Sequence, residues 1–339
     1  MREDDWNRLI EAFPRVLRGA RVETAALPAT DDRQPPFICA AFSPDESLLA
    51  LSGGGRIPSR PAIWVARVPS LETAAALRGH QGVHALAWDP RTGLLASASN
   101  DYTSVLWDVA RGAHVFVCGG DDEPIVKGRL AFGGNALYIA ETEAFLGLEA
   151  RLLRVSLDTG RVEILHAFDA SEATVTLAVD ADERWAIAID GALVTGRRAT
   201  KDAGERALDG ELRALGFRDG ELVLVLAFAT SRDDAFELHA GDRVVARIDL
   251  PELDVARFSC DGQRLALAHG NQVRVISTAD ASIAWAIELP SRDANYRTTV
   301  LAWSPSGEQL AVAGFGLVAI LDARSGVIRS SAIPPKWFR

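Results

Sequence analysis

The sequence predicts an all-β fold, a single ring of seven four-stranded units with a short N-terminal helix. Three observations carry this reading. A motif of apolar strand, tight polar turn and second apolar strand recurs seven times along the 339 residues. Its anchor positions are 38 to 47 residues apart, the length of a four-stranded blade. Helical periodicity is nearly absent after residue 20.

The copies run in order around the ring. AAFSPDESLLALS starts at Ala40, ALAWDPRTGLLASAS at Ala85 and RLAFGGNALYIA at Arg129. LAVDADERWAIAI follows from Leu177, ALGFRDGELVLVL from Ala214, ARFSCDGQRLALA from Ala256 and LAWSPSGEQLAVA from Leu301. The first strand of each closes on an anchor: Phe42, Trp88, Phe132, Val179, Phe217, Phe258 or Trp303. A third strand follows, as in SVLWDV, RLLRVSLD, QVRVIST and LVAILDA, then a turn such as DTG at 158–160 or ARSG at 323–326. The fourth strand is weaker and more polar, as in HVFVC or RVEILHAF. Inner strands run apolar because both faces pack between neighbours, whereas an outer strand has one side in water.

The chain divides into a helical segment, 1–20, and the ring, 21–339. Trp6, Leu9, Ile10, Phe13 and Leu17 share one helical face, and Pro14 is expected to end or kink the helix near Phe13. That face is expected to pack on the ring, the alternative being a docking helix for another protein. A ring must join its first and last units or leave an open edge. Two segments compete for the outer strand of the last unit: VETAAL at 22–27, which resembles LETAAAL at 71–77, and VIRSSAI at 327–333. The expected closure is the N-terminal one, with the tail as an extra strand or on the rim.

Composition narrows the function classes. Apolar residues make up 48 % and charged residues 24 %, the balance of a soluble globular chain. A formal net charge of −10 gives no overall attraction to nucleic acid or anionic membrane. No apolar run reaches the roughly 18 residues of a membrane helix, and MREDDWNRL lacks the apolar core of a secretory signal. Cys39, Cys118 and Cys260 are scattered and odd in number, so free thiols and a cytoplasmic location are expected. Lysine occurs only at Lys127, Lys201 and Lys336 beside plentiful arginine, which points to a GC-rich bacterial genome.

Residues 79–108, GHQGVHALAWDPRTGLLASASNDYTSVLWD, resemble a WD40 repeat of near-consensus form, from Gly79-His80 to Trp107-Asp108. The other six units match in strand pattern and turn, with Trp-Asp degraded to forms such as Leu321-Asp322. The resemblance covers about residues 37–335 and implies a seven-bladed WD40-like β-propeller. It also implies a buried hydrogen-bond tetrad of His80, Asp101, Ser97 or Ser99, and Trp107, since buried polar groups need partners. A Ser-His-Asp catalytic triad is the competing reading of the same residues. It is set aside because they fall inside one blade with no oxyanion hole nearby.

No other motif carries chemistry. The histidines, His80, His84, His114, His166, His239 and His269, form no HxH or HExxH pattern. GGDDEP at 119–124 lacks the alternation of a calcium loop, and Gly53-Gly54-Gly55 is not followed by a P-loop Lys-Ser/Thr. No cofactor or metal is expected. The densest basic stretch, Arg197, Arg198 and Lys201, is followed by Asp202 and Glu205 without interleaved aromatics, and reads as a solvated turn.

Loop length remains. The resemblance implies that second-to-third strand loops share one face, the top. They are long at 53–62, 141–150 and 230–235. Arg56 and Arg60 lie in the first. Phe145 and Leu146 lie in the second, among Glu141, Glu143 and Glu149, a pattern that suits a protein contact. The alternative is that these apolar residues fold back over the central channel. The expected function is a non-catalytic protein–protein interaction scaffold or sensor subunit. It would bind a protein or peptide on the top face, as a monomer or as part of a hetero-complex. The alternative is a propeller enzyme of hydrolase or lactonase type using acids of the central channel.

Overall fold

The computed structural model describes residues 37–53, 62–80, 82–99, 101, 103–119, 125–143, 149–169, 175–189, 191–198, 203–229, 234–248, 250, 252–289, 297–314, 317–333 and 335. The expected N-terminal helix and the segment 22–27 lie outside these residues. No helix occurs among the described residues.

Twenty-eight strands form seven antiparallel sheets of four, each in sequence order from inner to outer strand. Blade one holds β1 (Phe37–Phe42), β2 (Leu48–Gly53), β3 (Ile63–Arg67) and β4 (Thr73–Leu77). Blade two holds β5 (Val83–Trp88), β6 (Leu95–Ser99), β7 (Thr103–Asp108) and β8 (Ala113–Gly119). Blade three holds β9 (Ile125–Gly133), β10 (Ala136–Glu143), β11 (Glu149–Ser156) and β12 (Val162–Asp169). Blade four holds β13 (Thr176–Val179), β14 (Arg184–Ile189), β15 (Ala192–Arg197) and β16 (Ala203–Ala207). Blade five holds β17 (Glu211–Arg218), β18 (Glu221–Ala229), β19 (Asp234–Ala240) and β20 (Arg243–Ile248). Blade six holds β21 (Val255–Phe258), β22 (Arg264–His269), β23 (Gln272–Ser277) and β24 (Ile283–Glu288). Blade seven holds β25 (Thr298–Trp303), β26 (Gln309–Gly314), β27 (Leu317–Asp322) and β28 (Ile328–Ala332). Each innermost strand touches the next, and β25 touches β1, so the ring is closed.

The polar turn after the anchor has a physical cause. In blades one, six and seven a serine follows the anchor, and its hydroxyl accepts the N–H that opens the second strand. The distances are 2.9 Å for Leu48 to Ser43, 2.8 Å for Arg264 to Ser259 and 3.2 Å for Gln309 to Ser304. Tryptophan anchors add a staple between blades. Buried indole N–H groups need acceptors. Trp88 donates to the Ala41 carbonyl at 2.9 Å and Trp303 to the Arg257 carbonyl at 3.0 Å, in each case on the inner strand of the preceding blade.

Blades three and four share a polar cluster. Glu183, in a left-handed turn at φ 56°, accepts from the Tyr138 hydroxyl at 2.6 Å and from Arg154 Nε at 3.0 Å. Burial would raise the Glu183 carboxyl, but the Arg154 and Tyr138 donors outweigh it and hold it below its ordinary value. Burial and this carboxylate push the Tyr138 hydroxyl up.

Ring closure corrects the expectation that VETAAL supplies the last outer strand. That place belongs to β28, paired to β27 from Val318↔Ala332 to Leu321↔Ile328. The reason is local. Asp322 Oδ1 accepts from the N–H groups of Arg324 and Ser325, each at 2.9 Å, and Gly326 takes a positive φ of 75°. This turn returns the chain onto β27, and closing a short hairpin costs less entropy than recruiting a segment some 300 residues away. The tail is therefore the fourth strand and not an addition to the rim. The first and last blades are joined by side chains: Thr299 donates to the Phe37 carbonyl at 2.7 Å, and Gln309 Nε2 to Glu46 at 3.4 Å.

Candidate protein-binding face

The second-to-third strand connections differ in length around one end of the ring. Nine residues separate Gly53 from Ile63, five separate Glu143 from Glu149 and four separate Ala229 from Asp234. Two residues suffice between Ile189 and Ala192, His269 and Gln272, and Gly314 and Leu317. Arg56, Arg60, Phe145 and Leu146 fall in the two longest connections and lie outside the described residues.

Charged groups at the same end of the strands are held in pairs. Glu141, buried on β10, faces Arg151 of β11 at 2.9 Å. Asp254, just before β21, meets Arg297 at 2.6 Å, with His269 3.7 Å away. Innermost strand β5 contributes His84, at the bulge between Val83 and Ala85. The residue as a whole is only partly buried, yet both ring nitrogens are sealed from solvent without a hydrogen bond of good geometry. Burial, followed by the neighbouring Arg129 charge, pushes the imidazole down to about 4. The carbonyls of Gly82 and Gly128 pull weakly the other way. Sequence reasoning weighed His84 only as a metal ligand. Its placement on an innermost strand is the signal that it would be sealed.

The implied tetrad residues come together in blade two as two linked clusters. His80 Nδ1 meets Asp101 Oδ2 at 2.9 Å, and Asp101 also accepts from the Thr103 hydroxyl at 2.6 Å. The Ser99 hydroxyl accepts the Asp101 N–H at 3.2 Å. Burial works to raise the Asp101 carboxyl, but the His80 hydrogen bond and charge prevail and hold it at about 2. Separately, the Trp107 indole donates to Ser97 Oγ at 2.7 Å. The clusters meet through an edge-on contact of the His80 and Trp107 rings, with centroids 5.7 Å apart. His80 Nε2 has no hydrogen-bond partner, so no His–Ser link completes the chain. The same gap argues against a catalytic triad: Ser97 is buried and engaged by Trp107, not by His80.

The described residues form a seven-bladed β-propeller, and one stretch of it carries a WD40 signature. Residues 71–108 match the family described as WD domain, G-beta repeat, a stretch that holds β4 of blade one and the near-consensus repeat with β5 to β7 of blade two. Comparison with curated protein sequences gave no match. Among solved structures, the chain is similar to the Cps50 (Swd1) β-propeller domain of Myceliophteria thermophila, at 15% identity and a TM-score of 0.63, over 87% of this chain and 98% of that one. It is similar to the RRP9 WD40 repeats at 14% identity and a TM-score of 0.67, over 87% of this chain and 92% of that one. The structure of U3-55K matches at 14% identity and a TM-score of 0.67, over 87% of this chain and 93% of that one. At these identities the likeness is one of fold.

Proposed function

We propose that this chain is a non-catalytic interaction module that binds a protein or peptide on its top face, as a scaffold or sensor subunit in the cytoplasm. What supports the reading is the unequal set of connections on a rigid ring. Connections of nine, five and four residues stand among shorter ones, and long connections on a rigid scaffold are where binding residues tend to be carried. Arg56, Arg60, Phe145 and Leu146 are the residues assigned to that contact, because arginine and aromatic anchors dominate protein interfaces. The likeness to solved propellers is one of fold, and the interaction role is inferred from the surface of this chain.

The test is capture of partners from the native host by the tagged chain, with identification by mass spectrometry. Replacing Phe145 and Leu146 by Ser should leave folding nearly intact and weaken capture by at least about tenfold, or ~1.4 kcal/mol. If capture survives this change and is lost on deleting residues 1–18, the contact lies on the N-terminal segment and the top-face reading is wrong.

A further inference from the structure

Blade four departs from its six neighbours at matched positions. Opposite the anchor, the second strand carries Leu49, Leu95, Leu137, Leu222, Leu265 and Leu310 in the other blades. Blade four has Trp185 there, facing the small anchor Val179. The third-strand partner of Trp185 is Gly196, where a Cβ would run into the indole. The small anchor and the glycine leave room for the indole, as close packing requires. The next third-strand position is Val65, Leu106, Val275 or Ile320 in four blades, Arg154 in blade three, Ala240 in blade five and Thr195 in blade four.

Next to blade four, two side chains of blade five stay partly uncovered. Phe217 and Leu222 are only partly buried, while their counterparts in all six other blades are buried. A groove of about 380 Å³ opens there, lined by Phe217, Leu222, Trp185, Gly196, Gly204 and Arg197. It lies at the end of the blades opposite the second-to-third strand loops.

The sheet edge beside the groove is also unprotected. In the other six blades the third-to-fourth strand pairing carries a register shift. The β15–β16 pairing carries none. Bulges are one device that keeps an edge strand from pairing with another chain. β16 reads AGERA and is exposed along nearly all its length. The Leu208 N–H donates to the Gly191 carbonyl at 2.6 Å. By antiparallel alternation, Ala203, Glu205 and Ala207 then turn their N–H and C=O groups to the open edge. Arg184 at the groove is held by Asp180 and Asp182. Arg197 is exposed and makes no ion pair with any described residue.

We propose that β16 and this groove form a second docking surface, for an extended segment of a partner protein that pairs as a fifth strand on blade four. The segment sets one apolar side chain over Phe217 and Leu222 and a carboxylate beside Arg197. Backbone pairing supplies affinity and the groove supplies selectivity, as in other strand-addition complexes. The surface is independent of the top-face reading.

Two substitutions test it without touching the core. Gly204→Leu fills the groove, since a Cβ there meets nothing nearer than Thr195 Oγ1 at 3.8 Å. Glu205→Pro removes one outward N–H, a change edge strands tolerate. Panning a phage-displayed random-peptide library on the intact chain should enrich peptides alternating apolar residues with at least one acid. A synthetic copy should bind each folded variant at least about tenfold more weakly than the parent, and should bind the Phe145/Leu146 serine variant as well as the parent. No enrichment, or equal binding to both variants, overturns the proposal. A chain dimer in sedimentation that either variant dissociates assigns the edge to a second copy instead, and overturns it too.

Discussion

His84 offers a sharp test of how the ring is packed. Its imidazole is pushed down to about 4 from an ordinary value of 6.5, first by burial and then by Arg129. The folded state thus resists a proton that the unfolded chain takes up. The sign follows from linkage: the unfolded chain binds more protons between about 6.5 and 4, so stability is full above 6.5 and falls as pH drops toward 4. At about 1.4 kcal/mol per pKa unit, the fully developed loss is about 3 kcal/mol. It amounts to about 1 kcal/mol at pH 6 and about 2 kcal/mol at pH 5. Urea denaturation of the parent and of His84→Gln at pH 7.5, 6 and 5 isolates this contribution, because every other group titrates in both proteins. The parent should lose about 2 kcal/mol relative to the variant between pH 7.5 and pH 5. Parallel stability profiles over that range would show that the His84 ring is not sealed, and would refute the reasoning.

Two further outcomes are expected. Trp107→Phe removes the indole donor held by Ser97 at 2.7 Å and should cost about 1–2 kcal/mol by urea denaturation. No measurable loss would mean that the blade-two contacts do not stabilise the chain. Thiol titration of denatured, unreduced protein should find Cys39, Cys118 and Cys260 all reactive. Neither Cys39 nor Cys260 is in a disulfide, and they sit in blades one and six, so a result of a single reactive thiol would contradict the cytoplasmic reading.

The ring was legible in the sequence because each blade repeats one volume pattern. Phe42, Phe132, Phe258 and Trp303 mark the strand ends at which the structure buries them. The blade-two contacts were legible for a related reason. Gly79-His80 and Trp107-Asp108 stand at fixed distances from one another, so paired strands bring them together. Their continuity was not legible, because whether His80 Nε2 reaches Ser97 depends on ring orientation. Closure failed on different grounds. The likeness of VETAAL to LETAAAL describes a kind of strand, and a strand pattern does not name its neighbour. The Asp322 turn does, through three bonds to one carboxylate oxygen at 2.9 Å each.

Blade four shows where single-position reading stops. In the sequence Val179 is one anchor among seven, and the stretch with Arg197, Arg198 and Lys201 reads as a solvated turn. Only with the strands in register do Val179, Trp185 and Gly196 come together, the indole filling the space beside the glycine. The indole occupies the space that a side chain at Gly196 would need and packs in the core toward blade three, while Phe217 of blade five stays partly uncovered. That uncovered side chain lies beside the one third-to-fourth strand pairing that has no bulge. Packing and edge protection are governed by different residues, Trp185 and Gly196 for the first and the β16 register for the second. Their coincidence on one blade is what makes this edge a surface built for contact and not a blade in decay.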